Sequence, residues 1–305
     1  MRILVSGSTG FLGTALVETL EGQGHAIVRL VRPATARKNA AGARAETISW
    51  DPVAGQFDAA AAEGAEALVH LAGASIAGGR WNAPRKELLR TSRIDATRNL
   101  IGALAKLQRP PRVIVAASAI GYYGNRGDEA LTEASAPEND FLAGLCREWE
   151  AETARGAEFG ARVVSLRFGI ILAAHGGALR QMALPFKLGA GGRIGGGRQW
   201  MSWLTLQETV SIIQFALTNS GLTGPVNAVA PNPARNSEFT SVLAKTLHRP
   251  ALFPAPAFAL RLALGEMADS LLLSSQRVIP SKLADVGYAF LQPGLAGALA
   301  DVFRK

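Results

Sequence analysis

Apolar residues follow two alternating spacings along the first 170 residues of the chain. Residues 3–5 form a short apolar run, typical of a strand buried in a parallel sheet, and further strands are predicted over residues 26–31, 45–50, 67–71, 112–117 and 162–166. Between these strands, apolar residues recur at helical spacing, most clearly over residues 12–23, 84–107 and 140–159. Alternating strands and helices imply right-handed crossovers, so the pattern predicts an α/β fold with a doubly wound parallel sheet of the Rossmann type.

The alternation becomes irregular after residue 170. A glycine-rich stretch covers residues 189–197, helical patterns cover residues 208–218, 237–247 and 258–273, and a short strand is predicted over residues 226–229. We therefore expect a Rossmann domain over residues 1–170, with a sheet that residues 222–230 would complete. A smaller C-terminal α+β substrate lobe is expected over residues 171–305.

Composition narrows the classes of protein to consider. The 305 residues are 48% hydrophobic and 18% charged, which disfavours disorder, and one cysteine with four histidines gives no basis for a metal site. No apolar run approaches membrane-spanning length, since residues 257–264 contain Arg261, and residue 2 leads straight into the first strand. We expect a cytoplasmic protein, monomer or homodimer, with no membrane partner. The net charge of +8 is spread without a basic tract, so no nucleic-acid partner is expected either.

The first strand is followed by three glycines, Gly7, Gly10 and Gly13, and then by a helical pattern. Glycine allows a tight turn and lets a pyrophosphate approach the backbone, while the helix N-terminus offers free N–H groups. The spacing is one residue wider than the dehydrogenase fingerprint, and a tight strand-to-helix loop is the simpler alternative. We predict a dinucleotide site, whose residues are Gly7, Thr9, Gly10, Phe11, Leu12 and Gly13.

Arg32 closes the second predicted strand, where an acidic residue would bind the ribose 2′-hydroxyl of NAD. No Asp or Glu occurs between Glu21 and Glu46. A guanidinium can hold a 2′-phosphate with two parallel hydrogen bonds, so the sequence favours NADP(H) as the cofactor. For Arg37, Lys38 and Arg44 we favour a solvated basic loop.

The ends of later strands supply further candidates. The small residues that follow the fourth strand let the backbone pass close to a cofactor, and we predict Leu71, Ala72 and Gly73 as cofactor-binding residues. Four further side chains lie beyond strand ends or in the glycine-rich half, and they are Arg80, Trp81, Arg198 and Trp203. They could bind a small substrate, or they could have a purely structural packing role.

Several motifs of the chain resemble those of the extended short-chain dehydrogenase/reductase superfamily. They are the glycine loop, His70-Leu-Ala-Gly73, Ser118 at the end of the fifth strand, and the helical segment 92–100. Three longer segments, residues 118–124, 198–203 and 275–280, are similar to the YfcH-like epimerase family. That resemblance implies an NADP-binding Rossmann domain and a DUF1731 domain at about residues 250–300. It also implies that Ser118 hydrogen-bonds the reacting oxygen and that Arg93 replaces the usual asparagine beside the cofactor.

The chain departs from the superfamily at its catalytic Tyr-x-x-x-Lys pair. The best alignment places Leu142 and Cys146 there, and neither can act as that pair does. Tyr122 and Tyr123 follow Ser118 closely and are alternative acid/base candidates, although aromatic packing would also explain them. We expect an NADP(H)-dependent oxidoreductase or epimerase-type enzyme acting on a small substrate, with an anionic substrate favoured by the arginines. The alternative is a non-catalytic NADP(H) sensor.

Overall fold

The computed structural model describes residues 1–33 and 46–304. Within them an eight-stranded sheet has the order β12-β8-β6-β5-β1-β2-β3-β4, and all strands except β4 are parallel to their neighbours. The strands are β1 (Arg2–Ser6), β2 (Ala26–Val31), β3 (Glu46–Asp51), β4 (Gln56–Phe57), β5 (Ala67–His70), β6 (Val113–Ala119), β7 (Ala130–Leu131), β8 (Arg162–Phe168), β9 (Ile170–Leu172), β10 (Trp200–Met201), β11 (Trp203–Thr205), β12 (Gly224–Ala228), β13 (Ala234–Arg235) and β14 (Arg277–Val278). The doubly wound α/β fold is confirmed.

Helices lie on both faces of this sheet and in the smaller lobe. They are α1 (Phe11–Gly22), α2 (Ala59–Ala62), α3 (Ala83–Arg90), α4 (Ala96–Leu104), α5 (Phe141–Ala154), α6 (Gly177–Lys187), α7 (Leu206–Thr218), α8 (Asn236–Leu247), α9 (Ala257–Leu264), α10 (Glu266–Ala268), α11 (Ser281–Asp285) and α12 (Leu295–Phe303). Four short π or 3-10 segments, Thr91–Asp95, Ile120–Tyr123, Arg155–Phe159 and Asp269–Leu273, continue these helices or follow strands.

Alternate residues of the central strands enter separate cores on the two faces of the sheet. Ile3 and Val5 of β1 pack with Leu16 of α1 on one face, whereas Leu4 packs with Leu100 of α4 on the other. Successive side chains of a strand point to opposite faces, so a strand covered on both sides must be apolar throughout. This explains the apolar run over residues 3–5 with which the predicted sheet begins.

Two long helical patterns are interrupted. The predicted helix over residues 84–107 contains a π turn at Thr91–Asp95, where Ser92 Oγ accepts from the N–H of Ala74 and Arg93 donates to the Ala74 carbonyl. The predicted helix over residues 258–273 breaks at Gly265, whose φ of 63° lies outside the helical region. Apolar spacing alone shows neither break.

The smaller lobe and the sheet domain exchange elements and contact each other at several points. After residue 170 the chain returns to pack α7 against α1 and to add β12 at the sheet edge. Conversely, β7 from the first half pairs in parallel with β14. The carboxyl ends of the central strands therefore face the loops and helices of the lobe. In the described ranges, no helix combines the length and apolarity needed to cross a bilayer.

Candidate cofactor and active site

The glycine loop between β1 and α1 is shaped by close backbone contacts. Gly7 has a φ of 70°, and a Cβ on this residue would lie 2.8 Å from the carbonyl carbon of Leu71. A Cβ on Gly13 would overlap the carbonyl oxygen of Gly7. The loop also closes on itself through the bond from the Gly10 N–H to the Gly7 carbonyl, at 2.9 Å. Side chains at Gly7 and Gly13 would therefore force this loop open.

Helix α1 begins at the rim of this loop without a side-chain cap, and its first turn carries no acidic residue. The first N–H groups of a helix have no partner inside the helix, so those of Phe11 and Leu12 are available to an external acceptor. The hydroxyl of Ser8 is buried and has no hydrogen-bond partner in the described structure. These unpaired donors and the absence of side chains fit a pyrophosphate group.

Arg32 follows the last residue of β2 and is exposed, as is Thr9 in the glycine loop. Because β1 and β2 are adjacent and parallel, Arg32 and the loop lie at the same edge of the sheet. The predicted basic residues Arg37, Lys38 and Arg44, and Ala45 of the predicted third strand, lie outside the described residues.

The loop after β5 joins this edge beside the glycine loop. Leu71 and Ala72 supply the backbone atoms nearest to Gly7. The Arg93 guanidinium lies against the next residue, with its Cζ 3.2 Å from the position that a Cβ of Gly73 would occupy. Burial lowers the pKa of Arg93. The structure thus brings together the two predicted cofactor segments and one cation.

Ser118 lies near the carboxyl end of β6 and is almost fully buried. Its hydroxyl donates to Glu150 Oε1 at 2.6 Å. Arg167 of β8 donates to both carboxylate oxygens of Glu150, each at 2.8 Å. Although burial lowers the pKa of Arg167, the hydrogen bonds and charge of Glu150 outweigh that effect and raise it. Glu150 is therefore held by three donors.

Tyr123 extends this network and is fully buried. Its hydroxyl accepts from Arg167 Nη1 at 2.9 Å and donates to Asn227 Oδ1 at 2.6 Å. Burial raises the pKa of Tyr123 to about 12, so the geometry opposes the predicted acid/base role for this residue. Tyr122 is half-buried, with its ring centroid 3.4 Å from Arg167 Cζ. Tyr122 thus packs against the Arg167 guanidinium and edge-on against the Tyr123 ring.

The positions of the superfamily pair, Leu142 and Cys146, lie on α5 within the core. Leu142 packs against Gly121, just beyond Ser118. Burial raises the pKa of the Cys146 thiol to about 12, so this thiol stays protonated and weakly nucleophilic. A proton acceptor at these two positions is absent.

The predicted substrate residues occupy different environments. Arg80 is exposed and approaches Gly265, while Trp81 packs edge-on against Phe141 at 5.4 Å and donates to the Ile76 carbonyl. Arg198 is exposed in the glycine-rich loop, where its backbone carbonyl accepts from Arg235 Nη1. Trp203 corrects the prediction: its ring is fully buried and donates to the Asn232 carbonyl, so it has no surface for a substrate.

His70 is a buried core residue at the end of β5. Its ring nitrogens contact Ser6 Oγ at 2.6 Å and Thr97 Oγ1 at 2.9 Å. Burial lowers the pKa of His70 to about 4, so the ring is neutral near pH 7. Its role is to link three elements beneath the candidate site.

Sequence reasoning missed three polar residues of the Ser118 network: Glu150, Arg167 and Asn227. One signal was present, because Arg167 and Asn227 interrupt apolar strands and a buried polar side chain needs a partner. The partners themselves lie 17 and 104 residues away, which no local pattern shows. The sequence also missed Gly176, which packs against the Phe11 ring.

Comparison with known proteins agrees with this architecture. The family model described as "NAD dependent epimerase/dehydratase family" matches residues 3–229, and "Domain of unknown function (DUF1731)" matches residues 255–302. The chain is 40% identical to epimerase family protein Mb2239 of Mycobacterium bovis, over 97% of this chain and 96% of that protein. It is 38% identical to epimerase family protein YfhF of Bacillus subtilis, over 99% and 98% of the two chains. The crystal structure of human epimerase family protein SDR39U1 with NADPH aligns with a TM-score of 0.89 at 33% identity, over 99% of both chains.

Proposed function

Since the chain belongs to the NAD dependent epimerase/dehydratase family and carries a DUF1731 domain, we propose that it binds NADP(H) and performs oxidoreductase or epimerase-type chemistry on a small substrate. The observation that carries this proposal is the glycine loop, with its buried unpaired hydroxyl, free helix N-terminus and neighbouring Arg32. The similar human protein was crystallised with NADPH, which supports the same cofactor here.

The glycine loop and the N-terminus of α1 would hold the pyrophosphate of the cofactor, and Arg32 its 2′-phosphate. The loop of Leu71 to Gly73 would lie along the ribose and nicotinamide side. When bound, a nicotinamide cofactor gives or takes a hydride. The remaining chemistry then falls to Ser118 and the groups around it.

Ser118 would orient a substrate hydroxyl by accepting a hydrogen bond from it, since the proton of Ser118 is donated to Glu150, and it would orient a carbonyl by turning that proton from Glu150 to the substrate. Its hydroxyl is fixed by Glu150, which in turn is fixed by Arg167. Arg93 places a cation beside Gly73, so a substrate with negative charge is favoured. Of the two predicted tyrosines, Tyr122 is the remaining candidate for proton transfer, since the Tyr123 hydroxyl is hydrogen-bonded to Asn227 and Arg167.

The second candidate function is a cofactor-binding sensor without turnover. Leu142 and Cys146 favour it, because neither can replace the Tyr and Lys of the superfamily. The residues of the cofactor site are the same for both functions. Location in the cytoplasm and a monomeric or homodimeric state remain predictions.

One experiment separates the two functions. Purified protein would be incubated with NADPH and a panel of small carbonyl compounds and sugar nucleotides, and NADPH oxidation would be followed by the loss of the absorbance band of the reduced nicotinamide. We expect turnover with at least one compound and a loss of about 100-fold in Ser118→Ala, because the positioned hydroxyl is removed. Ser220→Ala, at an exposed serine in the turn between α7 and β12, is the matched control. NADPH binding without turnover on any compound would instead favour the sensor.

A further inference from the structure

Six large apolar side chains are exposed on two adjoining segments of the smaller lobe. We call them the apolar patch: Leu184, Leu188, Leu252, Phe253, Phe258 and Leu262. Leu188, Leu252, Phe258 and Leu262 are each more than 70% exposed. Single exposed apolar residues are ordinary on a protein surface, whereas a contiguous group marks an interaction site.

Backbone hydrogen bonds show that the two segments are contiguous. The N–H of Phe253 donates to the Gly191 carbonyl at 3.0 Å, and that of Ala255 donates to the Arg193 carbonyl at 2.8 Å. Leu188 lies three residues before Gly191 at the end of α6, and α9 begins two residues after Ala255. The patch is therefore one surface that extends from α6 across the 251–256 segment to α9.

Helix α9 is itself unusual, because none of its eight residues is buried although seven are Ala, Leu or Phe. Helices of globular proteins normally bury their apolar stripe against a neighbour. Phe258 and Leu262 are one turn apart, so they share a face. That face is without a partner in the described part of the chain.

Charge indicates what covers the patch. Residues 177–198 and 239–265 contain no Asp or Glu, but they contain seven Lys or Arg residues. Arg180, Lys187, Lys245 and Arg249 are exposed and form no ion pair within the described residues. The two acids that follow α9 are neutralised, since Glu266 pairs with Lys86 and Asp269 pairs with Arg261. The partner must therefore be both apolar and negatively charged.

We infer that the apolar patch docks on the surface of an anionic phospholipid bilayer, with the leucine and phenylalanine side chains in the headgroup region and the cations facing the phosphates. A helix with exposed Phe and Leu beside Lys and Arg is typical of such interfacial contact. A second copy of the chain fits less well, because a two-fold contact would set these cations against each other, and the exposed Glu238 at the start of α8 is a single acid against several cations. The inference departs from the expectation of no membrane partner, which is based on the lack of an apolar run of membrane-spanning length.

The test is co-sedimentation of the purified protein with vesicles of phosphatidylcholine, alone or mixed with phosphatidylglycerol. We expect binding to the anionic vesicles that weakens as salt is raised, and little binding to the neutral ones. The variant Leu188→Gln/Phe258→Gln should bind about tenfold more weakly, and so should Lys187→Gln/Arg249→Gln. The matched controls are Val53→Gln/Leu291→Gln and Lys106→Gln, which change exposed residues outside the patch.

A thermal melt of each variant, with and without NADPH, verifies that the fold is kept and that cofactor binding is unaffected. This readout separates the lipid surface from the proposed function, since either can fail alone. Equal binding to neutral and anionic vesicles, no binding to either, or equal losses in the control variants would overturn the inference. So would self-association, measured by light scattering, that disappears in Leu188→Gln/Phe258→Gln.

Discussion

The two halves of the candidate site are built in different ways. On the β1 and β2 side, the site consists of backbone: glycines, uncapped N–H groups and one exposed arginine. On the β6 and β8 side, it consists of interlocked side chains, in which Ser118, Glu150, Arg167 and Tyr123 satisfy one another. In the first half, hydrogen-bond donors are left free for an external ligand. In the second half, most polar groups already form hydrogen bonds with one another.

This difference explains how much of the site could be predicted. A backbone site leaves a local signature, since glycines at fixed spacing between a strand and a helix are adjacent in sequence. A side-chain network leaves little, because Tyr123 meets Asn227 across 104 positions. The sheet was predictable for the same local reason as the loop. The burial of Trp203 was not, since it depends on which elements of the smaller lobe pack together.

The largest expected effect is on the side-chain half. Glu150→Ala should lower the free energy of unfolding by about 3–5 kcal/mol, because Arg167 would remain buried and unpaired. Urea denaturation followed by circular dichroism measures this change. The control is Glu152→Ala, whose partners Arg98 and Arg155 are both half-exposed, with an expected loss under about 1 kcal/mol. Equal losses in the two variants would show that the buried network is not the stabilising element.

The backbone half is tested by Gly13→Ala, because the new Cβ would overlap the Gly7 carbonyl and open the loop. We expect NADPH affinity to fall at least about 100-fold, equivalent to about 2.7 kcal/mol. Fluorescence titration of NADPH measures it. Gly102→Ala in α4 has open space around the added Cβ and should bind NADPH as the unmodified protein does. Unchanged affinity in Gly13→Ala would mean that the loop does not hold the cofactor.

A pH titration examines His70, which lies beneath both halves. Its pKa is about 4 when folded and near 6.5 when unfolded, so the unfolded chain binds more protons between these values. This part of the stability is complete above about pH 6.5 and is lost as the pH falls toward 4. We expect a loss of about 2 kcal/mol between pH 7 and pH 5. The dependence should flatten in His70→Asn and persist in His175→Asn, an exposed control; a slope that survives in His70→Asn would assign it to other groups.

The central claim is that backbone donors and Arg32 together hold a phosphorylated nicotinamide cofactor. Isothermal titration calorimetry with NADPH and with NADH, on the unmodified protein and on Arg32→Ala, tests this directly. We expect NADPH to bind more tightly than NADH, and Arg32→Ala to lose about tenfold in NADPH affinity with little change for NADH. The control is Arg109→Ala, an exposed residue before β6 at the amino ends of the strands, which should bind both nucleotides as the unmodified protein does. Equal affinities for the two nucleotides, or no heat of binding with either, would contradict the account.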